Sequence, residues 1–391
     1  MREFFLKYQA KTNPNPLGLE IQYAKGNYLY DNKNKAYLDF IAGVSVCNLG
    51  HCHPKVINAI ENQIKKHLHV MVYGEFIQKT PGLLAKELIT ILPKNHEVLY
   101  LTNSGTEAVE GAIKLAKKVT KRHEIISAKK SYHGSTQGSL SILSVGSQKK
   151  GYRPLIPFSK FIEYNNEEDL KKITEKTAAV ILETIQGGAG FILPKNDYLK
   201  KVKSQCEKVG ALLVLDEIQT GFGRTGKFFG FELFNVTPDI IVMGKAMGGG
   251  LPIGGFTSTS KFMGKFENNP KLGHITTFGG NPLTAAAGVA TIREINESDL
   301  MSKIAEKEKI FRKNLIHPKI LRIQGTGLML APILKNKELA AKLIHKCLSK
   351  GLLLFWLLWE KKAIRISPPL TISKKEIING CKIICESLDE I

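Results

Sequence analysis

Apolar runs alternate with amphipathic stretches through the middle of the chain. Four runs have the length and composition of buried strands, at residues 98–101, 178–183, 211–215 and 240–243. Stretches with helical periodicity lie before, between and after them, including 54–68, 81–92 and 283–296. This alternation predicts an α/β fold with a mostly parallel sheet covered by helices.

The two ends of the chain show a different pattern. Short strands and turns fill the first forty-odd residues, and a smaller α+β pattern follows about residue 300. We therefore expect an N-terminal segment (1–45) that packs with a small C-terminal domain (297–391), and a large domain between them (46–296). The longest apolar run, 352–359, is far shorter than the ~20 residues that span a bilayer, and it predicts one buried strand.

Composition narrows the class of protein. A hydrophobic content of 43% and a charged content of 23% are ordinary for a soluble globular protein. The formal net charge of +21 comes from 48 lysines and eight arginines, which are spread along the chain. Such spacing favours solvated helix faces and weak polyanion binding over a specific nucleic-acid site. No membrane partner is expected.

The cysteines and the first residues of the sequence indicate the cellular compartment in which the protein is expected. The six cysteines form no CxxC pair and have no histidines at zinc-ligand spacing, so no metal site is predicted. The opening apolar stretch is too short for the core of a signal peptide. A cytoplasmic protein with reduced thiols is the expectation.

The segment 102–108 joins a predicted strand to a predicted helix. Ser104 and Thr106 supply hydroxyl groups, Gly105 lets the backbone approach an anion, and the first amides of the helix are free to bind it. The segment is a candidate phosphate seat. An ordinary capping box, with Glu107 as its acid, explains the same residues equally well.

Two charged residues follow predicted strands further along. Asp216 ends one apolar run, where a carboxylate needs a partner; a protonated ring nitrogen would serve, and so would a helix cap or a structural ion pair. Lys245 follows another run and precedes a glycine-rich turn, where desolvation lowers the pKa of an amine and makes it nucleophilic. A lysine that extends its ammonium to the surface is the alternative. Together with the phosphate seat, these residues predict a pyridoxal-phosphate site.

A second motif lies nearby. Residues 221–228 nearly match the P-loop pattern GxxxxGK[ST], but Phe228 stands where the Mg²⁺-binding hydroxyl is required. We interpret the stretch as a tight loop. A nucleotide- or polyanion-binding protein remains the distant alternative.

Over nearly its whole length the sequence resembles the class III aminotransferases, the fold-type I group of pyridoxal-phosphate enzymes that contains acetylornithine and ornithine aminotransferases. Five motifs carry the resemblance in combination: Asn103-Ser104-Gly105-Thr106-Glu107-Ala108, Tyr132-His133-Gly134, Leu215-Asp216-Glu217-Ile218-Gln219-Thr220-Gly221, Gly244-Lys245 and Thr276-Thr277-Phe278-Gly279-Gly280-Asn281-Pro282.

The resemblance implies roles around pyridoxal 5'-phosphate. Gly105 and Thr106 bind the phosphate with Ser104 close by, Tyr132 stacks on the ring, and Gln219 hydrogen-bonds near the ring hydroxyl. Asp216 pairs with the ring nitrogen. Lys245 forms the Schiff base and then acts as general base and acid. Thr277 reaches the phosphate of a neighbouring subunit, which implies a homodimer with shared active sites.

The resemblance also implies substrate contacts. Arg365 binds a substrate carboxylate through a bidentate pair of hydrogen bonds. The alternative is a surface arginine on a strand. Ser135 and Thr276 are further candidates for substrate binding. Acetylornithine and ornithine enzymes typically carry Arg where this chain has Ser135, and Glu where it has Gly188. Because that glutamate masks the C-terminal arginine, we expect Arg365 to stay unmasked here.

The implied activity is transfer of an (ω-)amino group from a small amino-acid donor to a 2-oxo acid. The acetylornithine type of arginine biosynthesis, with 2-oxoglutarate as acceptor, is the leading assignment. Another class III enzyme, such as an aminomutase or a decarboxylating relative, is the alternative, since one fold hosts several reactions.

Overall fold

The computed structural model describes residues 1–72 and 74–391. In chain order its strands are β1 (Ile21–Lys25), β2 (Tyr28–Asp31), β3 (Ala36–Asp39), β4 (Val98–Thr102), β5 (Glu124–Ala128), β6 (Ser159–Ile162), β7 (Thr177–Glu183), β8 (Leu212–Asp216), β9 (Ile240–Gly244), β10 (Gly254–Ser258), β11 (Ile320–Thr326), β12 (Met329–Leu334), β13 (Leu352–Leu353), β14 (Phe355–Trp356) and β15 (Ile364–Arg365).

The α-helices surround these strands. In chain order they are α1 (Arg2–Tyr8), α2 (Ala42–Ser45), α3 (Pro54–Ile64), α4 (Lys79–Ile91), α5 (Gly105–Thr120), α6 (Gln137–Ser141), α7 (Tyr198–Val209), α8 (Ser260–Met263), α9 (Pro282–Glu297), α10 (Ile304–Asn314), α11 (Lys337–Ser349) and α12 (Lys374–Asp389). The expected helices at 54–68, 81–92 and 283–296 correspond to α3, α4 and α9.

The predicted α/β fold is confirmed. Among the described residues, seven strands form the large sheet in the order β4-β10-β9-β8-β7-β5-β6. Strands β9, β8, β7, β5 and β6 run parallel, and β10 is antiparallel to both of its neighbours. Every residue of β7, β8 and β9 is buried, because helices cover both faces, and this explains their continuous apolar sequences.

Side-chain alternation divides the large sheet into two apolar layers. Ile181 and Val214 lie in a cluster with residues of α5, whereas Leu182 and Leu213 lie in a cluster with residues of α7 and α9. Because the strands are sandwiched in this way, only their ends are open to a ligand. Because β7, β8 and β9 are parallel, their carboxyl ends lie at the same edge of the sheet.

A separate apolar cluster joins the two ends of the chain. It contains Leu38 and Phe40, from and just after β3, together with residues of α10, α11 and α12 such as Phe311 and Ile384. Strand β13 pairs in parallel with β3 and so extends the small sheet β1-β2-β3-β13. The domain boundaries at residues 45 and 296 stay predictions.

The apolar run 352–359 is not the single buried strand that we expected. It breaks into β13 and β14, which pair with different partners, β3 and β15. Leu352 and Leu354 are buried, but Phe355 and Leu358 are more than one-third exposed. The run changes direction because its first half completes the small sheet and its second half lies at the edge of a cavity.

The loop at 221–228 is a turn-rich connection, as predicted: Lys227 lies in a bend, and a short 3-10 helix, Gly230–Phe234, follows it instead of the α-helix that a P-loop requires. Its Arg224 is fully buried and donates hydrogen bonds to the carbonyl oxygens of Leu328 and Pro368 and to the side chain of Asn48. The loop thus ties the large sheet to the C-terminal part of the chain. Across the described ranges, no helix combines the length and the apolar character needed to cross a membrane.

Candidate active site

One cavity of about 500 Å³ opens at the carboxyl ends of β7, β8 and β9. Eight of the predicted site residues line it: Gly105, Thr106, Tyr132, Ser135, Asp216, Gln219, Lys245 and Arg365. The parallel sheet brings them together, since each strand end delivers its loop to the same edge.

The start of α5 forms one wall of the cavity. Ser104 caps the helix, with its Oγ accepting a hydrogen bond from Glu107 N at 3.3 Å, so the capping interpretation holds for this residue. Glu107 itself binds the backbone N–H of Asn103 at 2.8 Å. A Cβ on the next residue, Gly105, would lie 2.6 Å from Cδ1 of Ile218, so a larger residue there would displace the isoleucine side chain. The bare backbone at the start of a 16-residue helix is suited to an anion.

The hydroxyl of Thr106 is held at this wall by two neighbours. Its Oγ1 lies 2.7 Å from Oγ1 of Thr136 and 2.9 Å from Oγ of Ser139. Gly134, with φ of 130°, packs against it so closely that a Cβ there would lie 2.2 Å from the Thr106 oxygen. At the predicted phosphate site, Thr106 is therefore closely packed against Thr136, Ser139 and Gly134, and the site is open towards the cavity.

Asp216 is buried, with both carboxylate oxygens engaged. Oδ2 lies 2.8 Å from Nδ1 of His133, and Oδ1 accepts from Ile218 N at 3.0 Å. The sequence left a helix cap, an ion pair and a ligand contact open for this residue; the structure shows a pairing with histidine and a local backbone contact. Both partners fix the direction in which the carboxylate faces the cavity.

His133 is the partner that the sequence did not identify. Burial alone would lower its pKa, but the hydrogen bond and the charge of Asp216 outweigh burial and raise it. Its Nε2 is buried and has no hydrogen-bond partner in the described part of the chain. The only sequence signal was its position inside the Tyr132-His133-Gly134 motif.

Lys245 begins a short 3-10 helix directly after β9, with φ of 47°. Its side chain is mostly buried rather than extended to the surface. Burial and, next, the charge of Arg365 lower its pKa to about 8, against the opposing charges of Asp216 and Glu183. An amine with this pKa is partly unprotonated near neutrality and can act as a nucleophile or a base.

Arg365, at the end of β15, is 5% exposed, so the surface-arginine alternative is wrong. Its guanidinium lies over the ring of Phe191, 5.7 Å from the centroid. Nε and Nη1 are buried and have no hydrogen-bond partner among the described residues. Burial lowers its pKa to about 10, which still leaves a cation at neutral pH.

Tyr132, Ser135 and Gln219 occupy the sides of the cavity. The Tyr132 ring is 40% exposed, and its hydroxyl lies 3.2 Å from Oγ of Ser135. Nε2 of Gln219 donates to Oγ of Ser45 at 3.5 Å. These side chains present polar atoms to the cavity without closing it.

Thr276 and Thr277 lie away from this cavity. Oγ1 of Thr276 accepts from Nδ2 of Asn103 at 2.9 Å and lines a different cavity, together with Tyr100. Thr277 is exposed and lines neither cavity. A substrate role for Thr276 and a contact between Thr277 and a neighbouring subunit stay predictions.

Glu183 and an apolar surface also line the cavity, and sequence reasoning had not assigned them to it. Glu183 ends β7 as Asp216 ends β8, so its position after an apolar run was an available signal. Burial raises its pKa to about 7. The apolar residues Ile185, Phe355, Trp356 and Leu358 come from two distant segments and carried no such signal.

The residues in the cavity fit pyridoxal 5'-phosphate. Gly105 and Thr106 line the cavity at the N-terminus of the 16-residue helix α5, where the first backbone amides can bind an anion. An amine, Lys245, and a buried acid, Asp216, line the same cavity. These are the three parts that this cofactor requires.

Fold and site together define a pyridoxal-phosphate-dependent aminotransferase of fold-type I. The family model "Aminotransferase class-III" matches residues 8–388, and the chain belongs to that family. It is 37% identical over 382 residues to the acetylornithine aminotransferase of Clostridium acetobutylicum, covering 93% of this chain and 95% of the relative.

Other relatives and structures extend the comparison. The putrescine aminotransferase of Pectobacterium atrosepticum is 36% identical, with 90% of this chain and 78% of the relative covered. The crystal structure of ornithine aminotransferase from Toxoplasma gondii ME49 superposes with a TM-score of 0.90 at 27% identity, covering 100% of this chain and 95% of that one.

Proposed function

We propose that this enzyme transfers the ω-amino group of an acetylornithine-type donor to 2-oxoglutarate, as one step of arginine biosynthesis. The main observation is that Lys245 and Arg365 line one cavity, and that Nε and Nη1 of Arg365 have no hydrogen-bond partner among residues 1–72 and 74–391. An amine that reacts and a cation that orients a carboxylate are what an amino-acid aminotransferase needs. The relatives named acetylornithine aminotransferase support this choice of donor.

The proposed cofactor contacts follow the geometry of the cavity. Free amides at the start of α5 and the hydroxyl of Thr106 hold the phosphate, with Ser104 fixing the first turn of the helix. Tyr132 and Gln219 line the same cavity, where Tyr132 would stack on the ring and Gln219 would hydrogen-bond near its hydroxyl. Asp216, aligned by His133, would pair with the ring nitrogen. When bound, the cofactor supplies an electron sink for the substrate carbon that carries the amine.

Side chains of the protein then transfer the proton of the substrate carbon that carries the amine. Nζ of Lys245, with its pKa near 8, is able both to accept and to return a proton at neutral pH. Arg365 binds the substrate carboxylate and so fixes the position of the carbon that loses the proton. Apolar side chains also line the cavity and would exclude water from it: Ile185, Phe355, Trp356 and Leu358.

Assembly and compartment form part of the proposal. A homodimer in which Thr277 reaches the partner's phosphate site accounts for the exposure of that threonine outside its own cavity. The six cysteines are unpaired, which suits the reducing cytoplasm.

The first test is chemical. Borohydride treatment of the yellow enzyme, followed by peptide mapping, is expected to place the cofactor mass on Lys245, with exposed Lys227 as an internal negative control. Unmodified Lys245 in active enzyme would exclude the assignment.

The second test concerns the donor and the acceptor. Coupled assays with acetylornithine, ornithine, putrescine and 4-aminobutyrate should form glutamate from 2-oxoglutarate with acetylornithine as the best donor. If no donor yields glutamate and a rearranged or decarboxylated product appears instead, the enzyme is another class III activity.

A further inference from the structure

The hydroxyl of Thr106 belongs to a network of hydroxyl groups at the predicted phosphate site. Oγ1 of Thr136 and Oγ of Ser139 lie 2.7 Å and 2.9 Å from its oxygen, and the backbone N–H of Thr136 donates to it at 3.3 Å. Thr136 directly precedes α6, and Ser139 lies within it. The position of this short helix therefore decides how the Thr106 hydroxyl is placed.

Glu110, in the second turn of α5, holds the start of α6. Its Oε1 accepts hydrogen bonds from Gly138 N at 2.7 Å, from Ser139 N at 3.0 Å and from the hydroxyl of Thr136. The first amides of a helix have no partner within it, and a carboxylate is a strong acceptor for them. A Cβ on Gly138 would lie 2.0 Å from Oε2 of Glu110, so the glycine allows the carboxylate to reach the backbone.

The carboxylate of Glu110 also sets the direction of the hydrogen bonds around it. Because a carboxylate only accepts, the hydroxyl of Thr136 gives its single hydrogen to Glu110 and has none to give to Thr106. The Thr106 oxygen accepts from the backbone N–H of Thr136 and lies within reach of the Ser139 hydroxyl. This order leaves the hydrogen of the Thr106 hydroxyl free to turn towards an anion in the cavity that Thr106 lines.

Lys149 holds the other end of α6. Its side chain is 8% exposed, and Nζ donates to the carbonyl oxygens of Ser141 at 2.8 Å and Leu143 at 2.7 Å. Nζ also lies over the ring of Phe161, 5.0 Å from the centroid. The last carbonyl groups of a helix lack partners within it and interact favourably with a cation. Since lysine is seldom buried to this degree, the contacts with α6 are what offsets its loss of water.

Charged groups of opposite sign thus fix α6 at its two ends. A five-residue helix makes too few internal hydrogen bonds to be stable by itself, so these outside contacts determine its position. Neither Glu110 nor Lys149 belongs to the described residues that line the cavity. Any effect of theirs on a bound ligand must therefore pass through α6 and Thr106.

We propose that Glu110 and Lys149 are positioning residues for the phosphate of pyridoxal 5'-phosphate. They fix α6 from its two ends, and α6 directs the hydroxyl of Thr106 towards the phosphate. The proposal rests on the phosphate contact of Thr106 that forms part of the proposed function. It adds two charged residues that set the affinity for the phosphate without touching it.

Two forms of the cofactor separate positioning of the phosphate from a general loss of structure. The full-length, cofactor-free enzyme is titrated with pyridoxal 5'-phosphate and with pyridoxal, which lacks the phosphate, and binding is followed by absorbance. Glu110→Ala and Lys149→Met should each weaken binding of the phosphorylated form about tenfold and leave that of pyridoxal unchanged. Glu110→Gln keeps an acceptor oxygen and should recover part of the affinity. Equal losses for both forms, or no loss for either, would overturn the proposal.

Further substitutions test the same contacts from the other side. Gly138→Ala places a Cβ where the carboxylate of Glu110 lies and should repeat the effect of Glu110→Ala. Its control is Gly146→Ala, at an exposed position where a Cβ meets nothing within 4 Å. Exposed Lys150→Met is the control for Lys149→Met. Both controls should bind the two forms as the wild type does; a control that lost as much affinity as its matched variant would contradict the proposal.

Thr106→Val distinguishes this proposal from the contact on which it rests. Loss of the hydroxyl should weaken binding of the phosphorylated form about tenfold, and adding Lys149→Met should then cost little more, because both changes act through one hydroxyl. If Thr106→Val binds the cofactor as the wild type does, the phosphate contact of Thr106 is wrong and the proposal falls with it. If Thr106→Val weakens binding while Glu110→Ala and Lys149→Met do not, the contact stands and the positioning through α6 is wrong.

Discussion

Nδ1 of His133 lies 2.8 Å from Oδ2 of Asp216, and both side chains are buried. A buried carboxylate needs hydrogen-bond donors to offset the loss of water, and the local backbone gives Asp216 one, the N–H of Ile218. The imidazole supplies the second donor and raises its own pKa by the same contact. His133 is therefore a positioning residue that acts on the cofactor through Asp216.

Replacing His133 with phenylalanine should lower kcat about 10- to 100-fold with little change in KM, because one charge-assisted hydrogen bond of ~1.5–3 kcal/mol is lost behind Asp216. The pH at which the absorbance of the bound cofactor changes should shift as well. His133→Asn retains a donor and is expected to recover part of kcat. A spectral titration identical to that of the wild type would rule out action through Asp216.

Lys245→Met should raise the stability of the cofactor-free protein at pH 7 by about 2 kcal/mol while abolishing turnover. The folded-state pKa of Lys245 is about 8, against an ordinary value of 10.5, so the buried ammonium destabilises the fold most fully below pH 8. This penalty falls as the pH rises from 8 towards 10.5. Urea unfolding at pH 7 and pH 10 should therefore show the difference between variant and wild type shrinking. A constant difference would mean that burial does not perturb the lysine.

Glu183→Gln should flatten the pH dependence of stability in the cofactor-free protein. Because burial raises the Glu183 pKa from 4.5 to about 7, the folded state binds more protons than the unfolded state between these values, and stability falls as pH rises through that window. The glutamine side chain resembles the neutral acid at every pH, so the substitution should reduce the pH-dependent loss in the free energy of unfolding by about 1–2 kcal/mol. Urea titrations from pH 4.5 to 8 measure it. Glu217→Gln is the matched comparison, because burial also raises the Glu217 pKa to about 7 at a position bonded to Thr184, Thr220 and backbone amides rather than lining the cavity.

Arg365→Lys should raise KM for carboxylate-bearing donors about tenfold, since the charge is kept but the bidentate geometry is lost. A diamine without a carboxylate should be unaffected. Exposed Arg322→Lys is the matched control. Equal effects on both kinds of donor would show that Arg365 supports the fold rather than the substrate.

Much of the fold was predictable because its signals are local. Strands β7, β8 and β9 are covered on both faces, and this environment requires the continuous apolar runs seen at 178–183, 211–215 and 240–243. Ser104, Gly105, Asp216 and Lys245 stand directly beside strand ends, so the edge at which they meet followed from the predicted parallel order.

The contacts that shape the substrate end were not predictable in this way. His133 and Asp216 are 83 residues apart, and nothing local in either segment indicates their pairing. The run 352–359 has one composition throughout, yet its first half completes a sheet and its second half lines a cavity, because different strands lie beside each half.

By itself, then, the sequence determined the family, the parallel sheet, the cofactor and the residues at the strand ends, since these depend on short-range patterns and on motifs. Tertiary structure alone decided the partner of Asp216, the burial of Arg365, and the change of direction within residues 352–359. These depend on which segments, far apart in the chain, come to share one close-packed space, and close packing is a property of the folded whole rather than of any stretch of sequence.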